Sequence, residues 1–339
     1  MRPRVAAFDG LRCLAFLCVF YHHSVAPGGI WGGLGVSAFF ALSGFLITGG
    51  LMRDARPARA ALRSFYLRRS LRIFPLYYLT LIALLLTGLL PFAAWYFGYA
   101  SNVLLYRLRA YDGPRTHFWT LAVEEQFYLV FPLLFFIVRR HRVLFMAALI
   151  AGCEIARYTL DDGSGWSDSL LPVCGEYLLW GALAAMLLAA RPGQTIDGRW
   201  LVVTGVVIVT VVYLPHSPLP TGTPDAMGFA LIVTGLWTAE RAFVSRVLAL
   251  APFAYLGRVS YGLYVFHNLV IGAPFQWLRA GLRDIHWVRT EPWILNLAVT
   301  VLLASVSWHL VELPILRLKS RIEARFQPSR SPPVETLAS

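Results

Sequence analysis

The sequence predicts an all-α polytopic membrane protein of about ten transmembrane helices with both termini in the cytoplasm. Three observations carry this. The 339 residues are 58% hydrophobic and only 14% charged, with a mean hydropathy of +0.61, outside the range of soluble globular domains. Apolar windows suited to a bilayer crossing, which needs about 20 residues for roughly 30 Å of hydrocarbon, recur along the whole chain. The segments between them alternate in arginine content, which assigns them to two sides.

Ten windows qualify, at about 8–26, 33–53, 72–91, 119–138, 143–159, 170–190, 200–215, 227–243, 254–278 and 293–314. The first lacks a small-residue cleavage site and holds Asp9, Arg12, His22 and His23, so it reads as a retained span and not as a removable signal. The third is entered through LRRSLRIFPLYYL, with Pro75 expected in its first turn. Residues 92–108 are apolar and aromatic but short, and they are flanked by Pro91 and by Arg107 and Arg109. If they lie in the interface or re-enter, ten crossings put Arg2, Arg4, the cluster from Arg53 to Arg72, Arg139 to Arg142, Arg191 to Arg199, Glu240 to Arg246 and the arginines from Arg317 onward on one side. That side is cytoplasmic by the positive-inside rule, whereas an eleventh span at 92–108 would move RRHR outside.

The net charge of +12 therefore sits in cytoplasmic loops, where anionic head groups suit it. Nucleic-acid binding is not expected of a chain that is nearly all membrane. Cys13, Cys18, Cys153 and Cys174 have no metal-ligand spacing and read as packing residues. No internal repeat and no second soluble domain is evident. Residues 1–316 are expected to form one membrane domain, and 317–339 a cytoplasmic tail whose Pro and Ser content reads as disordered.

Polar residues inside the windows are the functional signal, because ionisable groups in a membrane avoid lipid and mark sites or pathways. In DGLRCLAFLCVFYHHSV, Arg12 and His23 are eleven residues apart, which returns to within about 20° of one helix face and about 16 Å along the axis. Arg12 belongs near the cytoplasmic end of that stripe and His23 in its outer half. His22 points about 100° away. In GVSAFFALSGFLITG, Ser43 and Gly44 lie midway through the second span, where small residues admit a neighbouring helix or a substrate. Arg69 and Arg72 are three apart and share a face, a spacing that suits a clamp on phosphate oxygens as well as a topological role.

HFWTLAVEEQFYLVFPLL places Glu124 and Glu125 inside the outer half of the fourth span, where an unpaired charge costs several kcal/mol. Near the end, LGRVSYGLYVFHNLV holds Ser260, Tyr264 and His267, and WHLVELP holds His309 and Glu312. Ser260 and His267 could share a face, yet no G-x-S-x-G elbow supports a serine nucleophile.

In order along the chain, DGLR with its R-x10-H, FFALSGFLIT, RRSLRIFPLYY with its R-x-x-R, FWTLAVEEQFYLVFP and LGRVSYGLYVFH resemble the signature blocks of the integral-membrane acyltransferase-3 family over about residues 5 to 315. The resemblance implies a multi-pass acyltransferase of the cell (inner) membrane. It would move an acyl group, acetyl first, from cytoplasmic acyl-CoA to a hydroxyl of a cell-surface or lipid-linked carbohydrate. It implies no tightly bound cofactor and no metal; acyl-CoA is a co-substrate. In this reading His23 is the general base, Glu124 or Glu125 orients it or receives its proton, Arg12, Arg69 and Arg72 hold the anionic CoA or developing charge, and Ser43 shapes the acyl pocket. Trp119 and Tyr128 would line the cavity. Many relatives carry an extra-membrane hydrolase-like domain after the last span, whereas about 25 residues follow Pro314 here. Two alternatives stand beside this: acylation of a small secreted natural product such as a macrolide, and a proton-coupled transporter whose carboxylates relay protons. The sequence sets no oligomeric state.

Overall fold

A computed structural model describes residues 5–191, 197–217, 219–272, 275–282 and 285–318. The tail beyond Leu318, and Arg2 and Arg4, lie outside the described residues. Within them the chain is helical and holds no strand. Six helical segments are long and apolar enough to cross a membrane: Trp31–Arg53, Ala58–Leu86, Gly113–Ile137, Arg142–Leu160, Leu171–Ala189 and Pro292–Leu318.

In chain order the helices are α1 (Ala6–Ser24), α2 (Trp31–Arg53), α3 (Ala58–Leu86), the short α4 (Ala93–Phe97) and α5 (Ser101–Leu108), α6 (Phe118–Ile137), α7 (Arg142–Leu160), α8 (Leu171–Ala189), α9 (Gly198–Val212), α10 (Thr223–Thr238), α11 (Phe243–Leu248), α12 (Ala251–Arg258), α13 (Ser260–Ile271), α14 (Gln276–Gly281), α15 (His286–Thr290) and α16 (Pro292–Ser307). A π-turn, Trp308–Glu312, continues α16. The expected windows outside the six long segments fall on α1, which carries Asp9 and Arg12, on α9 and α10 with 15 and 16 residues, and on the α12–α13 pair. Residues 92–108 form α4 and α5, five and eight residues long, too short to span.

Two elements differ from expectation. α3 begins at Ala58 and runs 29 residues, so the arginine-rich stretch taken as loop is helix, and Pro75 sits in its interior. Ala, Leu and Arg are strong helix formers, and arginine lowers hydropathy without lowering helix propensity. The ninth window is not one helix, because the chain breaks at Val259 between α12 and α13.

Packing follows small residues. α2 crosses α8 so closely that a Cβ on Gly44 would lie 1.9 Å from the Leu178 carbonyl oxygen, and one on Gly181 2.0 Å from that of Ala41. α6 sends Phe127, Phe131 and Phe135 into the core shared with α7 and α8, and the first two rings stack with centroids 4.5 Å apart. α4 and α5 are tied to α3 and α6: Tyr77 donates to the Tyr96 carbonyl at 2.9 Å, and the Asn102 and Gln126 amides pair at 2.9 Å.

One polar knot joins α7, α8, α9 and α10 at the ends where α7 finishes and α8 starts. Arg157 pairs with Glu176, which is fully buried. Thr223 donates to Glu154 at 2.5 Å, and the buried Asp225 accepts from Tyr177, Tyr213 and the Gly222 amide at 3.0, 3.0 and 2.7 Å. Gly222 sits at φ +122°, and a Cβ there would meet Arg157 Nε at 2.9 Å, so glycine is required twice over. In the connection from α2 to α3, hydrogen bonds from Arg56 hold the Asp54 carboxyl below its usual range.

Candidate active site

α1, α2, α3, α6 and α13 together line a partly open cavity, about 730 Å³ of empty space when the solvent at its mouth is included. Five of the seven residues given a catalytic or binding role from the sequence line it: Arg12, Ser43, Arg69, Arg72 and Glu124. Arg12 leaves the second turn of α1 and hydrogen-bonds the buried Asp9 at 3.1 Å. Arg69 lies over the Tyr128 ring, 4.7 Å from its centroid, a cation–π contact. Ser43 and Tyr128 share a 2.6 Å hydrogen bond across the α2–α6 seam. Ser43 and its neighbour Gly44 thus divide the work, since one faces the cavity while the other admits α8.

Glu125 is turned about 100° from Glu124. It faces the tyrosine-rich side, near Tyr77 and Tyr99, and its Oε1 is buried without a hydrogen-bond partner among the described residues. Trp119 packs by its edge on Phe40, a ring of the cavity wall.

His23 does not line this cavity. Its ring lies farther along α1, partly buried, with Nδ1 2.9 Å from the Val19 carbonyl and 3.3 Å from Nε2 of His267. His117, at the head of α6, completes a group of three, its ring centroid 4.8 Å from that of His267. The partner of His23 is therefore His267, not a glutamate. Depth explains this: Glu124 lies seven residues, about 10 Å, further along α6 than His117. His22 turns aside and bonds the Gly29 carbonyl at 3.0 Å.

The histidine group abuts the cavity through two lining residues. Thr120 and Tyr264 share a 2.7 Å hydrogen bond, Thr120 also donates to the His117 carbonyl at 3.0 Å, and the Tyr264 carbonyl accepts from His267 at 2.7 Å. Ser260, on the same helix as His267, lines the cavity and does not pair with it. The π-turn of the last helix carries a further acid to the cavity's margin. Glu312 is buried, accepts from Ser307 at 3.3 Å and lies near Arg72, whereas His309 is exposed.

His117 was hidden in the sequence. It stands just ahead of FWTLAVEEQ, and its one available signal was its position seven residues, two turns, before Glu124.

The fold is thus an all-helical bundle whose polar cavity, lined by three arginines and a glutamate, lies beside a group of three histidines. Residues 5–312 match the acyltransferase domain that defines the acyltransferase-3 family, and the chain belongs to that family. It is similar to the peptidoglycan O-acetyltransferase OatA of Listeria monocytogenes, 25% identical over 93% of this chain and 56% of that protein. It is similar as well to the O-acetyltransferase OatA of Staphylococcus aureus, 27% identical over 92% of this chain and 57% of that protein. The chain spans about half the length of the curated relatives it matches. No solved structure matches it.

Proposed function

We propose that the protein is a membrane O-acyltransferase that moves an acyl group, acetyl first, from cytoplasmic acyl-CoA to a hydroxyl of a cell-surface or lipid-linked glycan. The observation that carries this is the meeting of Arg12, Arg69 and Arg72 in one cavity whose wall residues Thr120 and Tyr264 are bonded to the group holding His23. With both termini in the cytoplasm, the arginines lie toward the donor side and His23 toward the acceptor side. The glycan acceptor is further supported by family membership and by the peptidoglycan named for one relative.

In this mechanism the guanidinium groups hold the phosphates of CoA, which they match with paired N–H donors. Arg12 and His23 are eleven residues, about 16 Å, apart along α1, so an extended donor can rest its anionic end on the arginines and its thioester near the histidine. The acceptor hydroxyl gives its proton to His23 as its oxygen attacks the thioester carbonyl. The carbon–sulfur bond then breaks, and the CoA thiolate takes that proton back from His23. Glu124 sits among the arginines and balances their charge before the donor arrives; Ser43 and Tyr128, bonded to each other beneath Arg69, wall the arginine end of the cavity.

The test is mass analysis of glycan from cells that make the wild type or His23→Ala. An acetyl increment present with the first and missing with the second, at equal membrane abundance, is the expected result. An increment that persists without His23 would remove it from the chemistry, and an increment confined to small secreted products would move the acceptor to the natural-product class. Substrate moved unchanged, with no CoA released, would instead indicate a transporter.

A further inference from the structure

We infer that His267 is the positioning residue of His23, holding it in the tautomer that leaves Nε2 bare as the base nitrogen; this rests on the reading of His23 as base given above. Two backbone carbonyls decide the proton positions, because a carbonyl oxygen can only accept. His23 Nδ1 is 2.9 Å from the Val19 oxygen, so Nδ1 carries the hydrogen. His267 Nδ1 is 2.7 Å from the Tyr264 oxygen, so it too carries its hydrogen there and keeps a lone pair on Nε2. The 3.3 Å contact between the rings then has one sense: His23 Nδ1–H donates to His267 Nε2, as the second branch of a shared bond. Both hydrogen bonds of His23 run through Nδ1, which leaves the Nε2 lone pair for the substrate.

His267 is suited to hold a partner still. It is fully buried, its ring meets Phe16 edge-on with centroids 5.9 Å apart, and His117 stands against it, anchored by Nε2–H to the Val265 carbonyl at 3.2 Å. Its role in turnover balances simply. The hydroxyl proton arrives on His23 Nε2 and makes an imidazolium, whose Nδ1–H donates more strongly to the neutral His267 Nε2. The departing thiolate removes the Nε2 proton, and both rings return to their starting state. A third group that orients a catalytic histidine is the logic of hydrolase triads, filled there by a carboxylate.

The experiment compares His267→Phe, which keeps a packed ring but deletes the acceptor, with His267→Gln, which restores an acceptor oxygen, both purified in lipid nanodiscs with acetyl-CoA. We expect kcat to fall roughly 10- to 100-fold in the first, the usual loss when an orienting partner is removed, with KM for acetyl-CoA unchanged and part of the rate recovered in the second. In wild-type protein labelled with ¹⁵N-histidine, solid-state NMR should show His23 protonated at Nδ1 and bare at Nε2. A wild-type kcat in His267→Phe, equal loss with raised KM in both variants, or a His23 that carries its hydrogen on Nε2 would overturn the inference. The NMR readout needs no turnover, so a failure of the acyltransferase reading, seen as activity that survives His23→Ala, is distinguishable from a failure of this one.

Discussion

Arg69 and Tyr128 show how single residues set the cavity. The guanidinium carbon lies 4.7 Å from the centre of the phenol ring, and the hydroxyl of that ring is itself held by Ser43, so the three side chains are placed together. Replacing Arg69 by Lys keeps the charge but loses the planar fork and the stacking. KM for acyl-CoA should rise roughly tenfold, the effect of one lost charged hydrogen bond of about 1.5 kcal/mol, with kcat little changed. An unchanged KM would remove Arg69 from donor binding. Arg12, Ser43 and Glu124 were legible in the sequence because a polar residue inside an apolar run is anomalous wherever it occurs, and Arg69 and Arg72 because their spacing of three puts them on one helix face. The pairing of His23 with His267 was not, since the two are 244 residues apart and spacing speaks only about one helix at a time.

At the scale of elements, close crossings and the buried knot carry the stability. Gly181→Leu drives a side chain into the Ala41 carbonyl. Overpacking costs about 1–3 kcal/mol where neighbours can shift, and backbone shifts less readily than side chains. The α2–α8 seam should open, seen as a lowered melting temperature and loss of a single species on size exclusion. Arg157→Ala should cost about 3–5 kcal/mol, because it leaves the fully buried Glu176 without its cation. Asp168→Ala, which removes an acid whose side chain is 63% exposed from the same arginine, should cost under about 1 kcal/mol. Equal losses in the two melting curves would refute the account of the knot. Hydropathy located these helices well because α2, α6, α7 and α8 stay strongly apolar on average despite the few charged residues they carry. It missed the start of α3, where arginines mask a good helix, and the break at Val259, where the apolar run continues through a change of direction.

For the whole molecule the account requires the arginine-rich loops on the donor side and the histidine group near the opposite face. Arg140→Cys should react with a membrane-impermeant maleimide only after cells are permeabilised, whereas Gly163→Cys should react in intact cells. The reverse pattern would invert the bundle and place His23 on the wrong side for an external acceptor. The class of fold was legible from composition alone, but the cavity was not, because it is built by five helices whose mutual order in space no single segment encodes. The most direct test of the central claim is release of free CoA thiol from acetyl-CoA by the purified protein in nanodiscs, with glycan acceptor present, for wild type and His23→Ala side by side. Acceptor-dependent release by the wild type and its loss in the variant is the predicted result; release that is equal in the two, or none from either while acetyl-CoA fails to bind, would contradict it.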